Sequence, residues 1–546
     1  ILVTTRRGVS DVPEINLSME AAAQDFTRVM TPVNSAEFAT LRNLALKNDG
    51  LPYAYSAEAI EKYRSGSDPL RYPNTNWNDI LLKDYAFQQR YNLNVSGATA
   101  AAKYFINAGM LNQGGQFKTE KDLKYDPSFK LDRYNFRSNV DVQLNKSLKA
   151  FLNVAGYLEK RNSPIGVFNY LGGDTNDNLE NNTPAYWILA LANDLDATIP
   201  GPLTPDSKVI TTSAVPHPAY GQINRSGYIQ QTRTNITATY GMEQSLAALL
   251  PGLSVKAVAS FDSKTINNMF AAKYYEKWIP VIDENQLDEN GQPSLTYRPF
   301  NADKDTPLSI WGGRYFTSLT NLQATLNYNQ RFDKHAVSGL LLFQDQSTRI
   351  NQELPYNLRG FAARMTYGYN NRYFMELNAG YNGSEQFAKG KRFGFFPAVS
   401  AGWLISEENF LKGNNTVNVL KLRGSYGEVG NDRIGGRRFL YLDDIQVNGG
   451  GYSGSLGNGQ IINTNLLRNE DLQWEVAKKA NIGLELGLFD ALNLVVDVFN
   501  EKRNNILRTR GTVPALNGLP NGSLPPVNIG VINNKGYEIE LSYKKQ

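Results

Sequence analysis

The sequence predicts an all-β protein, an antiparallel transmembrane β-barrel, and three observations carry that prediction. Long segments alternate strictly between apolar and polar residues. Very short turns alternate along the chain with long polar connections. No apolar run approaches the roughly 18 residues of a membrane helix. The alternation is plainest in YNFRSNVDVQLN, Tyr134 to Asn145. Tyr134, Phe136, Ser138, Val140, Val142 and Leu144 are apolar or small, whereas Asn135, Arg137, Asn139, Asp141, Gln143 and Asn145 are polar or charged. Strand side chains point to opposite faces with a period of two, so this segment has one oily face and one wet face. It is also about twice as long as an ordinary strand.

Composition agrees with that class. The 546 residues include 30 Tyr, 25 Phe and 46 Gly, with 41% hydrophobic and 11% aromatic residues. The mean hydropathy of −0.42 reads as soluble. It does not exclude a membrane barrel, because half of each strand faces a polar lumen. The 56 basic and 52 acidic residues are interspersed, unlike the clustered charge of a nucleic-acid binder. The densest basic site, GGRRF at Gly435–Phe439, reads as a solvated loop. Zero Cys removes disulfides, thiolate catalysis and zinc–cysteine sites. No signal peptide is visible in the opening ILVTTRRG, which reads as a processed or truncated start.

The same alternation recurs in LSVKAVASFD (Leu253–Asp262), TNLQATLNYN (Thr320–Asn329) and ANIGLELGLF (Ala480–Phe489). Runs of this length suit tilted membrane strands. Tight turns are expected at Asn145–Ser147, Asp333–Lys334, Asn370–Asn371 and Asp490–Ala491. Long Gly-, Pro- and Asn-rich connections are expected at 162–222, 277–315, 430–470 and 505–533. Outer-membrane barrels have this rhythm of periplasmic turns and extracellular loops. Strands are therefore placed near 13–27, 85–97, 103–114, 133–145, 148–160, 226–244, 253–270 and 316–332. They continue near 335–350, 359–369, 372–386, 393–406, 419–430, 472–488, 492–506 and 535–546. That is about sixteen, with no visible partner for the last; an open edge in lipid costs several kcal/mol per unpaired group. Two stretches, Asn34–Asn48 and Ser56–Gly66, have helical spacing instead, with a Ser N-cap expected for each and no complete capping box.

Enzyme chemistry finds little to work with. The two histidines, His217 and His335, lie beside prolines and in a tight turn, and no G-x-S-x-G nucleophile motif occurs. The protein is not expected to be an enzyme. DTNDN spaces Asp174, Asn176 and Asn178 like the oxygen ligands of a calcium loop. It lacks the turn glycine, where Leu179 stands, and the closing Glu, where Ala185 stands. A solvated Asn-rich loop is favoured there, and no other cofactor is suggested. Trp403 and Trp474 suit an interfacial girdle. Trp187, Trp278 and Trp311 fall in predicted loops beside Tyr186, Tyr275 and Tyr315; they offer stacking surfaces for a ligand or partner, or pack the loops against one another. Arg137, Asp141, Lys256 and Asp262 are lumen-facing candidates, with ordinary wall hydration as the alternative.

Specific words then add to the periodicity. ILVTTRRG (Ile1–Gly8), the segments Glu61–Trp77 and Tyr91–Gly115, and NGSEQFAKGKRFGFFPAVSAGWLISEE (Asn382–Glu408) occur in order. LKLRGSYGEVGND (Leu420–Asp432), LQWEVAKKANIGLELGLF (Leu472–Phe489) and NIGVINNKGYEIEL (Asn528–Leu541) follow. Together they resemble the SusC/RagA family of TonB-dependent outer-membrane transporters. The resemblance implies a barrel of about 22 strands around an internal plug. Residues 1–8 would then end a plug that is mostly absent here, and residues 9–546 would form the barrel with its long extracellular loops, incomplete at the C-terminus. It further implies a SusD-like lipoprotein lid, the TonB–ExbB–ExbD energising complex, outer-membrane lipid around the wall and, in some members, paired barrels. The implied function is active import of an oligosaccharide or oligopeptide. A passive porin and a barrel-anchored adhesin remain the alternatives.

Overall fold

The computed structural model describes residues 6–165, 184–192, 194–289, 291–301, 304–433, 437–448, 453–454, 457–458, 461–510 and 521–544. The chain opens with β1 (Glu14–Gln24), then α1 (Ser35–Asn48), α2 (Ala57–Ser65) and α3 (Trp77–Leu81). Next come β2 (Ala86–Ala98), β3 (Ala102–Gly114), β4 (Lys130–Gln143), β5 (Leu148–Pro164), α4 (Pro184–Ala192), β6 (Val209–Ile210) and α5 (Ala219–Asn224). There follow β7 (Gly227–Ser245), β8 (Leu253–Ala272), β9 (Lys277–Leu287), β10 (Pro293–Pro299), β11 (Ser309–Phe332), β12 (His335–Ile350) and β13 (Tyr356–Tyr369). Then come β14 (Tyr373–Ser384), β15 (Phe393–Leu404), β16 (Val417–Asn431), β17 (Asp444–Asn448), β18 (Ser453–Gly454) and β19 (Gly457–Asn458). The last are β20 (Ile461–Leu466), β21 (Glu475–Leu488), β22 (Leu492–Arg508) and β23 (Val527–Tyr543).

One sheet of 16 strands dominates, in the order β1-β2-β3-β4-β5-β7-β8-β11-β12-β13-β14-β15-β16-β21-β22-β23. Each wall strand pairs antiparallel with its neighbours in sequence, which is the meander of a barrel wall. All sixteen expected strands are present, several of them extended toward the long connections. β11 starts at Ser309 rather than near 316. The turns explain the meander locally. Asn370 and Asn371 have φ of 50° and 56°, and Phe489 and Asp490 have 55° and 53°. Two successive positive-φ residues make the tight turn whose twist matches paired strands. At β21–β22 that turn lies one residue earlier than expected. Asn145 caps the β4–β5 turn by accepting from the Ser147 and Leu148 amides, both at 2.9 Å.

Over most of its height the wall has no buried core; the exception is the loop end, where Ile229, Phe270 and Ala272 of β7 and β8 are buried with Ile165. Most of its large apolar side chains lie on one face and are exposed: Ile15 is 68% accessible and Leu541 65%. Burial is concentrated instead in the long connections, all of which leave the same end of the sheet. Trp77, Leu81, Leu82, Phe117, Ile188, Ala192, Leu195, Val215, Ala219 and Ile223 form one cluster, joining α3, α4 and α5 across three connections. Phe387, Phe396, Leu440, Leu466, Leu472 and Trp474 form a second. Trp474 thus corrects the girdle expectation. Its ring lies 5.3 Å from those of both Phe387 and Phe396, and its indole donates to the Arg392 carbonyl at 3.1 Å. Trp403 does lie exposed at the turn end of β15, stacked on Tyr373.

The two expected helices form, but α1 begins differently. Asn34, not Ser35, is its N-cap. Asn34 accepts from the Glu37 amide at 2.9 Å, and Glu37 accepts from the Asn34 amide at 3.1 Å, so a complete capping box exists. Reading only Ser and Thr as caps hid it. Ser56 caps α2 as expected.

Candidate functional site

Register carries the two-faced pattern from strand to strand. Asn135, Arg137, Asn139 and Asp141 of β4 share a face with Tyr157, Ala155, Asn153 and Phe151 of β5. That face continues through Asn235 and Thr237 of β7 to Lys264 and Asp262 of β8. Further round it carries Arg364, Glu376, Ser400, Arg423, Asn481 and Asp497. The opposite face carries the exposed apolar residues. All four lumen candidates, Arg137, Asp141, Lys256 and Asp262, therefore fall on the polar face, in different settings. Arg137 is exposed and has no ion pair among the described residues. Lys256 lies over the Phe151 ring at 5.1 Å, and Asp262 accepts from Asn235 Nδ2 at 3.3 Å.

Asp141 is the most engaged of the four. Arg7 Nε donates to it at 3.2 Å, and Lys149 Nζ lies 3.4 Å away. Arg7 Nη2 also donates to Asn153 Oδ1 at 2.7 Å. Between them Asn139, only 2% exposed, donates to the Arg6 carbonyl at 3.2 Å. The segment preceding β1 is thus fastened to the polar face of β4 and β5. Its next residue, Gly8, lies against Gly97, where a Cβ would fall 2.1 Å from the Gly97 carbonyl oxygen. Only glycine permits that approach.

Further round the wall, charged side chains pair across strands. Arg364 meets Glu376 at 2.7 Å, and Arg423 reaches both Glu485 at 2.9 Å and Asp497 at 2.7 Å. Arg503 and Lys479 enclose Glu501, at 2.9 and 3.3 Å. Asn329, Ser338, Thr366, Glu376, Lys421 and Arg423 line part of a concavity of about 650 Å³ toward the turn end. These residues were not singled out from sequence. Alternation in KLRGS places Lys421, Arg423 and Ser425 on one face, but which acid meets which base depends on cross-strand register.

The aromatic candidates are redistributed. Trp311 and Tyr315 are not in a loop but in the upper part of β11, on its polar-face register opposite Phe270 and Ile266. Trp311 stacks on Phe270 at 5.5 Å and packs against the Ile165, Ile229 and Ala272 cluster, which is why the strand extends so far. Trp278 belongs to β9 in the three-stranded sheet β10-β9-β6. Tyr275 is buried and accepts from Gln222 Nε2 at 3.0 Å, a packing role. Tyr186 and Trp187 lie within α4; their side chains, like Asp174, Asn176 and Asn178, fall outside the described residues. Among the described residues no His, Asp and Glu cluster suits a metal ion.

A polar inner face, an apolar outer face and one crowded loop end make a membrane wall. Residues 169–544 match the family model described as TonB dependent receptor-like, beta-barrel. The chain belongs to the TonB-dependent receptor family. It is accordingly an outer-membrane β-barrel protein, of a family of receptors rather than enzymes. TonB-dependent receptor P3 of Formosa agariphila is 27% identical over 99% of this chain and 50% of that protein. TonB-dependent receptor SusC of Bacteroides thetaiotaomicron is 29% identical over 37% of this chain and 20% of that protein. The RagAB peptide importer in its open-open state shares the fold, with a TM-score of 0.66 at 16% identity, covering 98% of this chain and 59% of that one. The SusC/RagA kinship read from the motifs holds. The receptor chain spans about half the length of P3.

Proposed function

We propose that this receptor chain forms most of the wall and outer loops of an active importer. Its polar face is the lumen, the segment ending at Gly8 is the end of the plug, and residues 9–546 belong to the barrel. In the complete protein about 22 strands close around the plug. The cargo is an oligosaccharide or oligopeptide; RagAB, whose fold this chain shares, is a peptide importer. A SusD-like lipoprotein covers the loop end, and TonB–ExbB–ExbD supplies the energy. Two such barrels pair in the membrane. No cofactor takes part, apart from calcium should Asp174, Asn176 and Asn178 bind it.

The observation that carries the reading is the fastening of Arg6 and Arg7 to the polar face. A passive porin needs no chain crossing its inner wall. Trp311 and Tyr315, on the polar-face register near the loop end, are the aromatic positions best placed to meet cargo; Trp278 lies in the separate sheet β10-β9-β6. The test is gentle extraction of the native complex followed by intact-mass measurement, paired with uptake of labelled oligosaccharides and oligopeptides with and without TonB. A stoichiometric lipoprotein and TonB-dependent uptake support the reading. A partnerless barrel with TonB-independent uptake sinks it.

A further inference from the structure

The outward face changes character within one row of residues. On β16, β21, β22 and β23 the rows nearest the turns are apolar. Leu420, Leu486, Leu494 and Leu541 form one, and Leu422, Leu484, Val496 and Ile539 the next. Above them stand Ile482, Val498 and Tyr537, all well exposed. The following two rows hold Lys535 beside Asn500, and then Glu428, Lys478 and Lys502 side by side. Lys478 and Lys502 are direct cross-strand partners. Like charges so placed, with Cβ atoms roughly 5 Å apart, repel each other.

Among the described residues one acid attends them. Glu428 pairs with Lys478 at 3.1 Å, and neither Lys502 nor Lys535 has an acidic partner among the described residues. Some outward charges elsewhere on the wall are paired. Arg359 pairs with Asp345 at 2.5 Å, and Lys130 with Asp126 at 3.2 Å. The lysines sit where the apolar belt is interrupted, with Val531 and Ile529 of β23 exposed beyond them, on the face turned away from the lumen, toward the loop end. In an outer-membrane barrel that level is the headgroup layer of the outer leaflet. Cargo on the polar face cannot reach it.

We infer that Lys478, Lys502 and Lys535 form a binding site for the phosphate of an outer-leaflet lipid headgroup. The phosphate relieves the Lys478–Lys502 repulsion, and the acyl chains lie along Ile482, Val498 and Tyr537. The site is independent of the cargo.

The test uses the full-length receptor in detergent with diphosphoryl lipid A as probe and counts retained lipid by native mass spectrometry. Wild type is compared with K478Q/K502Q/K535Q. The control is K130Q/K160Q, which removes charges from the same outward face of β4 and β5. The triple variant is expected to lose retention by about tenfold or more, from the attraction contributed by each basic residue near a headgroup. The control should keep it, and added salt should weaken binding to wild type. Equal retention by wild type and triple variant overturns the site. So does displacement of the lipid by inorganic phosphate at equal concentration, which would mark a general anion site. A shift from paired to single barrels in the triple variant, with lipid retention unchanged, would assign the face to a second copy instead.

Discussion

Asp141 shows how much one side chain on the polar face does. Its carboxylate holds Arg7 and Lys149, and it is 14% exposed against 24% for Arg7. Hydrogen bonds to charged groups contribute about 1.5–3 kcal/mol, more than neutral ones. Asp141→Asn is therefore expected to loosen the Arg6–Gly8 segment. Its amide hydrogen exchange should rise by about tenfold, each factor of ten being about 1.4 kcal/mol, while exchange in β4 stays unchanged. At the turn end, Glu408 accepts from the Tyr373 hydroxyl at 2.6 Å and from the Trp403 indole at 3.0 Å, with Arg372 at 3.1 Å. These partners, the Tyr373 hydroxyl foremost, hold its carboxyl below the usual range. A depressed folded value stabilises the protein above the ordinary carboxylate range, and the gain is lost as pH falls through the folded value. The difference in melting temperature between wild type and Glu408→Gln should thus be present at neutral pH and vanish in acid. A difference that persists at low pH would assign it to packing.

Elements owe their boundaries to different forces. Turns are local: Asn370 and Asn371 supply the positive φ that the β13–β14 hairpin needs. Asn371→Val should destabilise the barrel by about 1–2 kcal/mol, the cost of left-handed backbone for an L residue with a bulky side chain. Asn371→Gly should cost far less. Reversible unfolding in detergent would distinguish the two. The upper strands and loops depend on non-local packing. Trp474 lies just before β21 and fills the Phe387–Phe396–Leu472 cluster. Trp474→Ala should cost about 3–5 kcal/mol, as aromatic truncations in cores do. Loss of protease resistance should be confined to residues 385–392, 437–448 and 461–474, leaving the wall intact. Alternation revealed where the strands run, yet it said nothing of where β11 starts, because the register partners of Trp311 come from β8.

For the whole molecule, the solvent decides the design. Leu484 sits in the middle of the outward apolar rows, while Asn481 faces inward. Leu484→Arg should destabilise the protein in lipid vesicles by about 2–4 kcal/mol, the cost of a cation near the bilayer midplane. Asn481→Arg should be much milder, apart from disturbing its 2.8 Å bond to Asp497. Equal effects of the two would contradict the assignment of faces.

Period, turn chemistry and motif words together determined the class, the meander of sixteen strands, the two faces and the family. All of these are properties of residues near in sequence. The sequence also placed Arg137, Asp141, Lys256 and Asp262 on the wet face, since parity along a strand suffices for that. Tertiary structure decided what parity cannot. Register chose Asp141 rather than Arg137 to hold the incoming chain. Packing between distant connections turned Trp474 from an interfacial residue into a core one and drew Trp311 out of a loop into a strand. Strand order brought Lys478, Lys502 and Lys535, scattered over nearly sixty residues, into adjacent rows where the apolar belt is interrupted. Contacts between residues far apart in the chain depend on alignment and closure across the sheet, and a single strand read alone does not contain them.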